Sequence, residues 1–197
     1  GTTPGDWYPI GLGRLGITDN QTGYLAVINE TVQKRYQTAE KLDRTKATEW
    51  HRISLAVLAS GGDPRHMGVN GEIDLIADGT YNRGLTVSPG RQGINGWIWG
   101  LIALDSKRYE VPSDAVNTRE DFIVEILRTQ RSDGGFALTG EVSDVDITAM
   151  AIQALAPYYN SETVYFYTSS VEKTSEGAYA ECSKTVREVI DESVAWL

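Results

Sequence analysis

The hydrophobic residues of this chain recur in four similar segments of ten residues each. The segments are DWYPIGLGRL, EWHRISLAVL, NGWIWGLIAL and DITAMAIQAL, which start at residues 6, 49, 95 and 146. Each begins with Asp, Glu or Asn, has a small sixth residue and ends on Leu. The third, seventh and tenth positions share one face of a helix that turns by about 100° per residue, and the opposite face is largely apolar too. Helices that are apolar nearly all round are buried on several sides, so the pattern predicts four short inner helices.

The first and sixth residues of these segments predict where the helices begin and how closely they pack. Asp6, Asn95 and Asp146 have side-chain oxygens that can accept from the free amides of a first helical turn, so each is predicted to be an N-cap. In the fourth segment, a capping box of Ser143 with Asp146 is the alternative. Glu is a poor cap, and the second helix is therefore expected to begin at Thr48. The small sixth residues are expected to let a neighbouring backbone approach closely.

More polar stretches alternate with the apolar segments, at about residues 22–43, 70–79, 117–131 and 181–197. Their apolar residues lie on one helical face and their charged residues on the other. The alternation predicts an all-α domain in which each repeat has one inner and one outer helix. Residues 160–180 break the helical period with a strand-like VYFYT run before a polar turn, so we expect a β-hairpin or a long loop there.

Two runs in the third and fourth repeats resemble a known superfamily. Residues 130–136 have the sequence QRSDGGF, and residues 144–149 have the sequence DVDITA. An outer helix, a QxxDGGF turn and a D-initiated TAxAxxAL helix are similar to the prenyltransferase and squalene-oxidase repeat. That repeat occurs in squalene–hopene cyclases, protein prenyltransferase β-subunits and transcobalamin-like binding proteins. The resemblance implies an α/α toroid with ligands at its mouth or centre, present here as an incomplete arc of about four helix pairs.

The same resemblance raises the question of catalysis, because class II terpene cyclases protonate an alkene with the middle Asp of a DxDD motif. Such an acid must stay protonated in a dry cavity, among neighbours that raise its pKa. Here Asp144 and Asp146 match the first two acids, but Ile147 stands in place of the last. We therefore expect no catalytic residue. The alternative is a cyclase-like enzyme that uses Asp146 as its general acid, with Asp144 beside it.

The resemblance also raises the question of a zinc site. The zinc site of protein prenyltransferases needs an Asp, a Cys and a His at one ion. Only Cys182, His51 and His66 are available, and no two of them have the spacing of a ligand pair. His51 falls at the core-facing third position of its segment and is expected to be a hydrogen-bonded interior residue. We expect neither a metal site nor a cofactor.

The net charge and the start of the chain indicate which partners the protein would bind and where it is located. The 18 basic and 27 acidic residues give a net charge of −9, which disfavours nucleic acid and anionic membrane surfaces as partners. No apolar run reaches the roughly 18 residues of a membrane span. The chain starts at Gly1 without an initiator Met, and we expect a targeting segment before it and a secreted or cell-surface protein of bacterial type.

The end of the chain and the flanks of the inner helices bear on its organisation. The sequence stops at Leu197 in mid-repeat, so residues 1–197 are expected to be a single domain that is a fragment of a larger repeat protein. An open arc would expose the apolar flanks of its inner helices, and self-association is one way to cover them.

Aromatic residues in the first turns of the inner helices are the main candidates for a binding site. They are Trp7, Tyr8, Trp50, His51, Trp97 and Trp99. In a toroid these helix starts gather at one end, where they would line a basin suited to an isoprenoid, a corrinoid or a sugar. Packing between helices is the competing interpretation. The leading hypothesis for function is a non-catalytic ligand- or partner-binding module, and the alternatives are the cyclase-like enzyme and a structural spacer of a surface protein.

Overall fold

The computed structural model describes residues 3–83 and 88–197, and within this part the chain forms eight α-helices and one two-stranded antiparallel sheet. The helices are α1 (Thr3–Leu15), α2 (Gln21–Tyr36), α3 (Thr48–Ala59), α4 (Leu75–Gly79), α5 (Ile94–Asp105), α6 (Arg119–Leu127), α7 (Val145–Leu155) and α8 (Val186–Trp196). The strands are β1 (Val164–Lys173) and β2 (Tyr179–Thr185). The predicted helical class is confirmed.

The four apolar segments form the helices α1, α3, α5 and α7, as predicted, and α3 begins at Thr48. The burial on several sides that the pattern predicts is wrong for α1, because only Asp6 and Pro9 are buried among residues 5–15. These inner helices are joined in chain order, because α1 contacts α3, α3 contacts α5, and α5 contacts α7. The more polar helices pack on them: α2 on α3, α4 on α3 and α5, α6 on α5, and α8 on α7. A continuous core of buried side chains runs between α5, α6, α7 and α8, and a second cluster lies between α2 and α3.

The predicted N-caps are wrong in three segments, because those helices begin earlier than the segments do. The cap of α7 is Asp144, whose Oδ1 accepts from the amide of Ile147 at 2.9 Å. Asp146 instead lies in the first turn of α7, where acids interact favourably with the helix dipole. Asp6 lies inside α1 and is buried, and Asn95 lies in the first turn of α5. Their side chains are therefore free for contacts between helices.

The small sixth residues do not share one explanation. A Cβ at Gly100 of α5 would collide with the ring of Phe122 on α6, so the close neighbour there is an aromatic side chain and not a backbone. At Gly11 of α1, no atom of the described residues lies within 4 Å of the place a Cβ would take. The predicted close backbone approach is thus wrong at Gly11, and Gly100 is required by packing between an inner and an outer helix.

The predicted outer helices exist but are shorter than the stretches that predict them. The α2 helix ends at Tyr36, and α4 is a single short turn. Residues 181–185 belong to β2 and not to the last helix. Two outer helices, α6 and α8, begin with capping boxes in which Thr118 and Thr185 are the caps. The cap at Thr185 explains why α8 starts later than predicted, since it ends the strand and satisfies the first amides of the helix.

The hairpin prediction for residues 160–180 is confirmed, and the sheet extends to Thr185. The register pairs Tyr167 with Cys182, and an irregularity follows between Thr168 and Lys173. There β1 bends against the end of α6, where the Ser170 amide donates to the Arg128 carbonyl at 2.8 Å. The hairpin therefore packs on the outer-helix side of the third repeat.

Candidate functional site

The structure does not gather the six predicted aromatic residues into one basin. Trp50 is 2% exposed, and its indole Nε1–H donates to the hydroxyl of Tyr36 at 2.7 Å. Trp97 is also buried, with its ring edge-on to Phe122 at 5.1 Å between centroids. These two tryptophans therefore pack between helices, which is the competing interpretation.

His51 is a hydrogen-bonded interior residue, as the sequence predicts. Its Nε2 lies 2.7 Å from the carbonyl oxygen of Gly79, so this nitrogen carries the proton. The Nδ1 atom is buried and has no hydrogen-bond partner within the described residues. Burial lowers the pKa of His51 from 6.5 to about 4, because a charged ring would lose its hydration there. The fourth predicted residue, Tyr8, is exposed and donates its hydroxyl to Asp19 at 3.2 Å.

Trp7 and Trp99 are the two predicted residues that come together. Their rings meet edge to face at 5.4 Å between centroids, and Trp7 is 43% exposed. They border a cleft of about 310 Å³ at the first turns of α1, α3 and α5. The remaining lining residues are polar: Lys46, Thr48, Glu49, Arg52, Gln92 and Asn95.

A buried ion cluster lies behind this cleft. The guanidinium of Arg52 contacts Asp6 through Nε at 3.1 Å, and both of its Nη atoms contact the carboxylate of Glu49, one of them at 2.9 Å. The side chain of Asp6 is completely buried, and its other oxygen accepts from the hydroxyl of Tyr24 at 2.9 Å. Burial, together with the nearby Asp6 carboxylate, raises the pKa of Tyr24. The cluster ties α1, α2 and α3 together at the floor of the cleft.

Amide side chains complete the polar wall. Gln92 and Thr48 form two reciprocal contacts of 3.2 Å, in which the Gln92 Nε2 donates to the Thr48 hydroxyl and the Thr48 amide donates to the Gln92 oxygen. Asn95 lies one turn before Trp99 on the same face of α5. Its Oδ1 is buried without a hydrogen-bond partner among the described residues. Buried polar atoms are normally paired, so this oxygen is an unmet acceptor inside the protein.

The acidic motif has a different environment. Asp144 and Asp146 are both exposed, and Asp144 is engaged as the cap of α7. The neighbouring QxxDGGF run is a structural turn, in which Gln130 Nε2 donates to the carbonyls of Gly134 at 3.1 Å and Val189 at 3.0 Å. The Gln130 side chain therefore bonds to the backbone at this turn. Neither carboxylate has the dry surroundings that a general acid for alkene protonation needs.

The residues considered for zinc lie apart from the cleft. His66 pairs with Asp63 at 3.0 Å, and Cys182 is half-buried on β2. Over residues 3–83 and 88–197, no group of three or more His, Cys, Asp or Glu side chains is placed to hold a metal ion. No helix in the same ranges has the length and apolar character to cross a membrane.

A larger groove of about 740 Å³ runs along the segment before α5, beside Arg44 and Arg91. Of the predicted aromatics only Trp97 borders it, and Trp97 is nearly buried. We therefore take the smaller cleft at Trp7 and Trp99 as the candidate site.

Comparison with protein-family models, with curated proteins and with solved structures finds no match to this chain. The resemblance to the prenyltransferase and squalene-oxidase repeat thus depends on the residues quoted above.

Of the eight residues that line the cleft, only Trp7 and Trp99 were predicted from the sequence as binding residues. Asp6 and Asn95 were predicted only as caps, and Arg52 and Gln92 were not predicted to have a role. The first position of the repeat was the available signal. Glu49 and Asn95 occupy that position, and both line the cleft. Asp6 occupies it in the first repeat and is bound to Arg52 behind the cleft.

Proposed function

We propose that this chain is a non-catalytic ligand-binding module and that the cleft at Trp7 and Trp99 is its binding site. One observation carries the proposal: an indole that is 43% exposed faces a second indole at the mouth of a cleft whose other walls are polar side chains. Aromatic surface with a few fixed polar groups is typical of small-molecule sites, and their volumes start at about 300 Å³.

The non-catalytic part of the proposal follows from the acidic motif. Asp144 and Asp146 are exposed, and the fourth acid of the cyclase motif is replaced by Ile147. A general acid for alkene protonation needs a dry cavity, and neither of these exposed carboxylates lies in one. This argument favours binding over a cyclase-like activity at Asp146.

We further propose that the row of inner helices is an arc of the α/α-toroid type, as the QxxDGGF resemblance implies. In that arrangement the first turns of α1, α3 and α5 face the same end, which is where the cleft lies. A binding module of this kind suits a secreted or cell-surface protein, and this is the location that we propose.

The test is a thermal-shift screen against corrinoids, isoprenoid diphosphates, squalene-like lipids and oligosaccharides, with Trp7→Ala and Tyr8→Ala as a matched pair. Both side chains are exposed on the same helix, but only Trp7 borders the cleft. A ligand at 100 times its Kd adds about 2.7 kcal/mol to the stability of the parent protein. We expect this gain to disappear in Trp7→Ala and to persist in Tyr8→Ala.

Two results would count against the proposal. If no class stabilises the parent protein, the domain is better explained as a structural spacer. If a ligand stabilises Trp7→Ala as much as the parent, binding occurs elsewhere. Turnover of an isoprenoid substrate that disappears in Asp146→Asn would instead support the cyclase-like alternative.

A further inference from the structure

We infer that the ligand of the Trp7 and Trp99 cleft is a neutral saccharide. The inference rests on the proposed function, because it names the chemical class that the same cleft would bind. Three properties of the cleft lead to it: the hydrogen-bonding capacity of Asn95, the charge balance around Arg52, and the ratio of aromatic to polar lining.

The Asn95 amide sets the first requirement. Asn95 lines the cleft, and its side-chain amide both donates and accepts hydrogen bonds, so a ligand that covers it must offer a polar group in return. A hydrocarbon chain has no donor, and an ionised diphosphate presents acceptors only. A hydroxyl both donates and accepts, and it can therefore satisfy either end of the amide. Saccharides carry such hydroxyls around the ring, at the spacing of neighbouring polar side chains.

The charges around the cleft set the second requirement. Two cations, Lys46 and Arg52, stand against two carboxylates, Glu49 and Asp6, so the local charges cancel. The Arg52 guanidinium is committed to both carboxylates through all three of its nitrogens. A diphosphate would bring several negative charges close to two carboxylates, and outside the ion cluster the lining cation that could balance them is the single charge of Lys46. A neutral ligand meets no such opposition.

The lining sets the third requirement. Of the eight residues around the cleft, two are tryptophans and six are polar. An isoprenoid or squalene-like chain would cover those polar groups without pairing them, which is costly. A pyranose ring has an apolar C–H face that stacks on an indole and hydroxyls at its rim that pair with amides and carboxylates. The cleft volume of about 310 Å³ lies at the small end of ligand pockets and suits one or two sugar rings better than a corrin macrocycle.

The experiment is titration calorimetry of the whole chain with neutral disaccharides built from glucose, galactose, mannose and N-acetylglucosamine, and with a uronic-acid disaccharide. The variants are Asn95→Leu and Tyr8→Ala. Because the Asn95 oxygen is already unpaired, its replacement by Leu removes no intramolecular hydrogen bond of that atom, and the unliganded variant should keep the melting temperature of the parent. We expect at least one neutral disaccharide to bind, with affinity about tenfold weaker in Asn95→Leu and unchanged in Tyr8→Ala.

The outcomes separate this inference from the proposed function. Binding of a corrinoid or an isoprenoid that depends on Trp7, with no saccharide binding, would overturn the inference and leave the binding module intact. Preference for the uronic-acid disaccharide over its neutral counterpart would overturn the neutral class. Equal saccharide affinity in the parent and in Asn95→Leu, with both folded, would show that the amide does not recognise the ligand. Absence of binding by every class would overturn both proposals.

Discussion

The burial of His51 predicts that the folded domain loses stability on mild acidification. The native ring is buried and takes up its second proton with a pKa of about 4, against an ordinary value of 6.5 for a ring in water. As the pH falls through 6.5, the unfolded chain takes up a proton that the native chain takes up only near pH 4. The stability that His51 contributes by staying neutral is therefore complete above pH 6.5 and is lost as the pH falls toward 4.

The size of this effect follows from the two pKa values. Between about pH 7 and about pH 5, the difference in proton binding removes about 2 kcal/mol from the free energy of unfolding, and the loss reaches about 3 kcal/mol by about pH 4. This is a large fraction of the stability of an ordinary domain, which is roughly 5–15 kcal/mol. The change is thus well within the reach of an equilibrium measurement.

The assay is urea denaturation of the parent protein, His51→Gln and His66→Gln at about pH 7, 6 and 5. Glutamine can still donate to the Gly79 carbonyl but does not titrate, so His51→Gln should lose about 2 kcal/mol less than the parent over this interval. His66 is the matched control, because its ring is 63% exposed and its replacement leaves His51 in place. His66→Gln should therefore keep the full loss. An equal pH dependence in the parent and in His51→Gln would refute the reasoning, whatever the stability of the variant at pH 7.

Two further predictions concern packing and the ion cluster. Arg52→Met leaves the Asp6 carboxylate buried without its cation and should cost about 3–5 kcal/mol, whereas Lys34→Met at an exposed ion pair should cost less than about 1 kcal/mol in the same denaturation assay. Similar costs for the two variants would contradict the burial argument. Gly100→Ala should destabilise the domain by about 1–3 kcal/mol because the added methyl meets a fully buried ring of α6. Gly11→Ala, with open space around it, should stabilise α1 by up to about 1 kcal/mol, and a destabilised Gly11→Ala would show that the small sixth position has a packing role there as well.

The fold was predictable from the sequence to the extent that periodicity determines it. The four apolar segments identified the inner helices because a helix buried on several sides needs apolar residues on most of its faces. The caps were missed because capping depends on the residue just before a helix, and Asp144 lies before the fourth ten-residue segment, which starts at residue 146. The length of α8 was missed because residues 181–185 pair with β1, a contact that local periodicity does not report.

The site was less predictable, since it depends on how many neighbouring helices cover each repeat among the described elements. Trp7 and Trp50 occupy the same position of the repeat, yet one is 43% exposed and the other 2% exposed. The difference arises because α3 lies between α1 and α5, whereas α1 has a neighbouring inner helix on one side only among the described elements. The partnership of Arg52 with Asp6 joins two helices across 46 residues of chain, and no local pattern predicts it.

The ion cluster also bears on why the cleft has a defined shape. A buried ion pair is weak evidence for stability, because the cost of dehydrating its charges is close to what their attraction returns. Its clearer effect here is positional. Asp6 immediately precedes Trp7, and its bond to Arg52 fixes the start of α1 against α3, while the same guanidinium holds the Glu49 carboxylate at the cleft wall. The exposed indole and the polar wall are therefore held in place before any ligand binds, which lowers the entropy cost of binding.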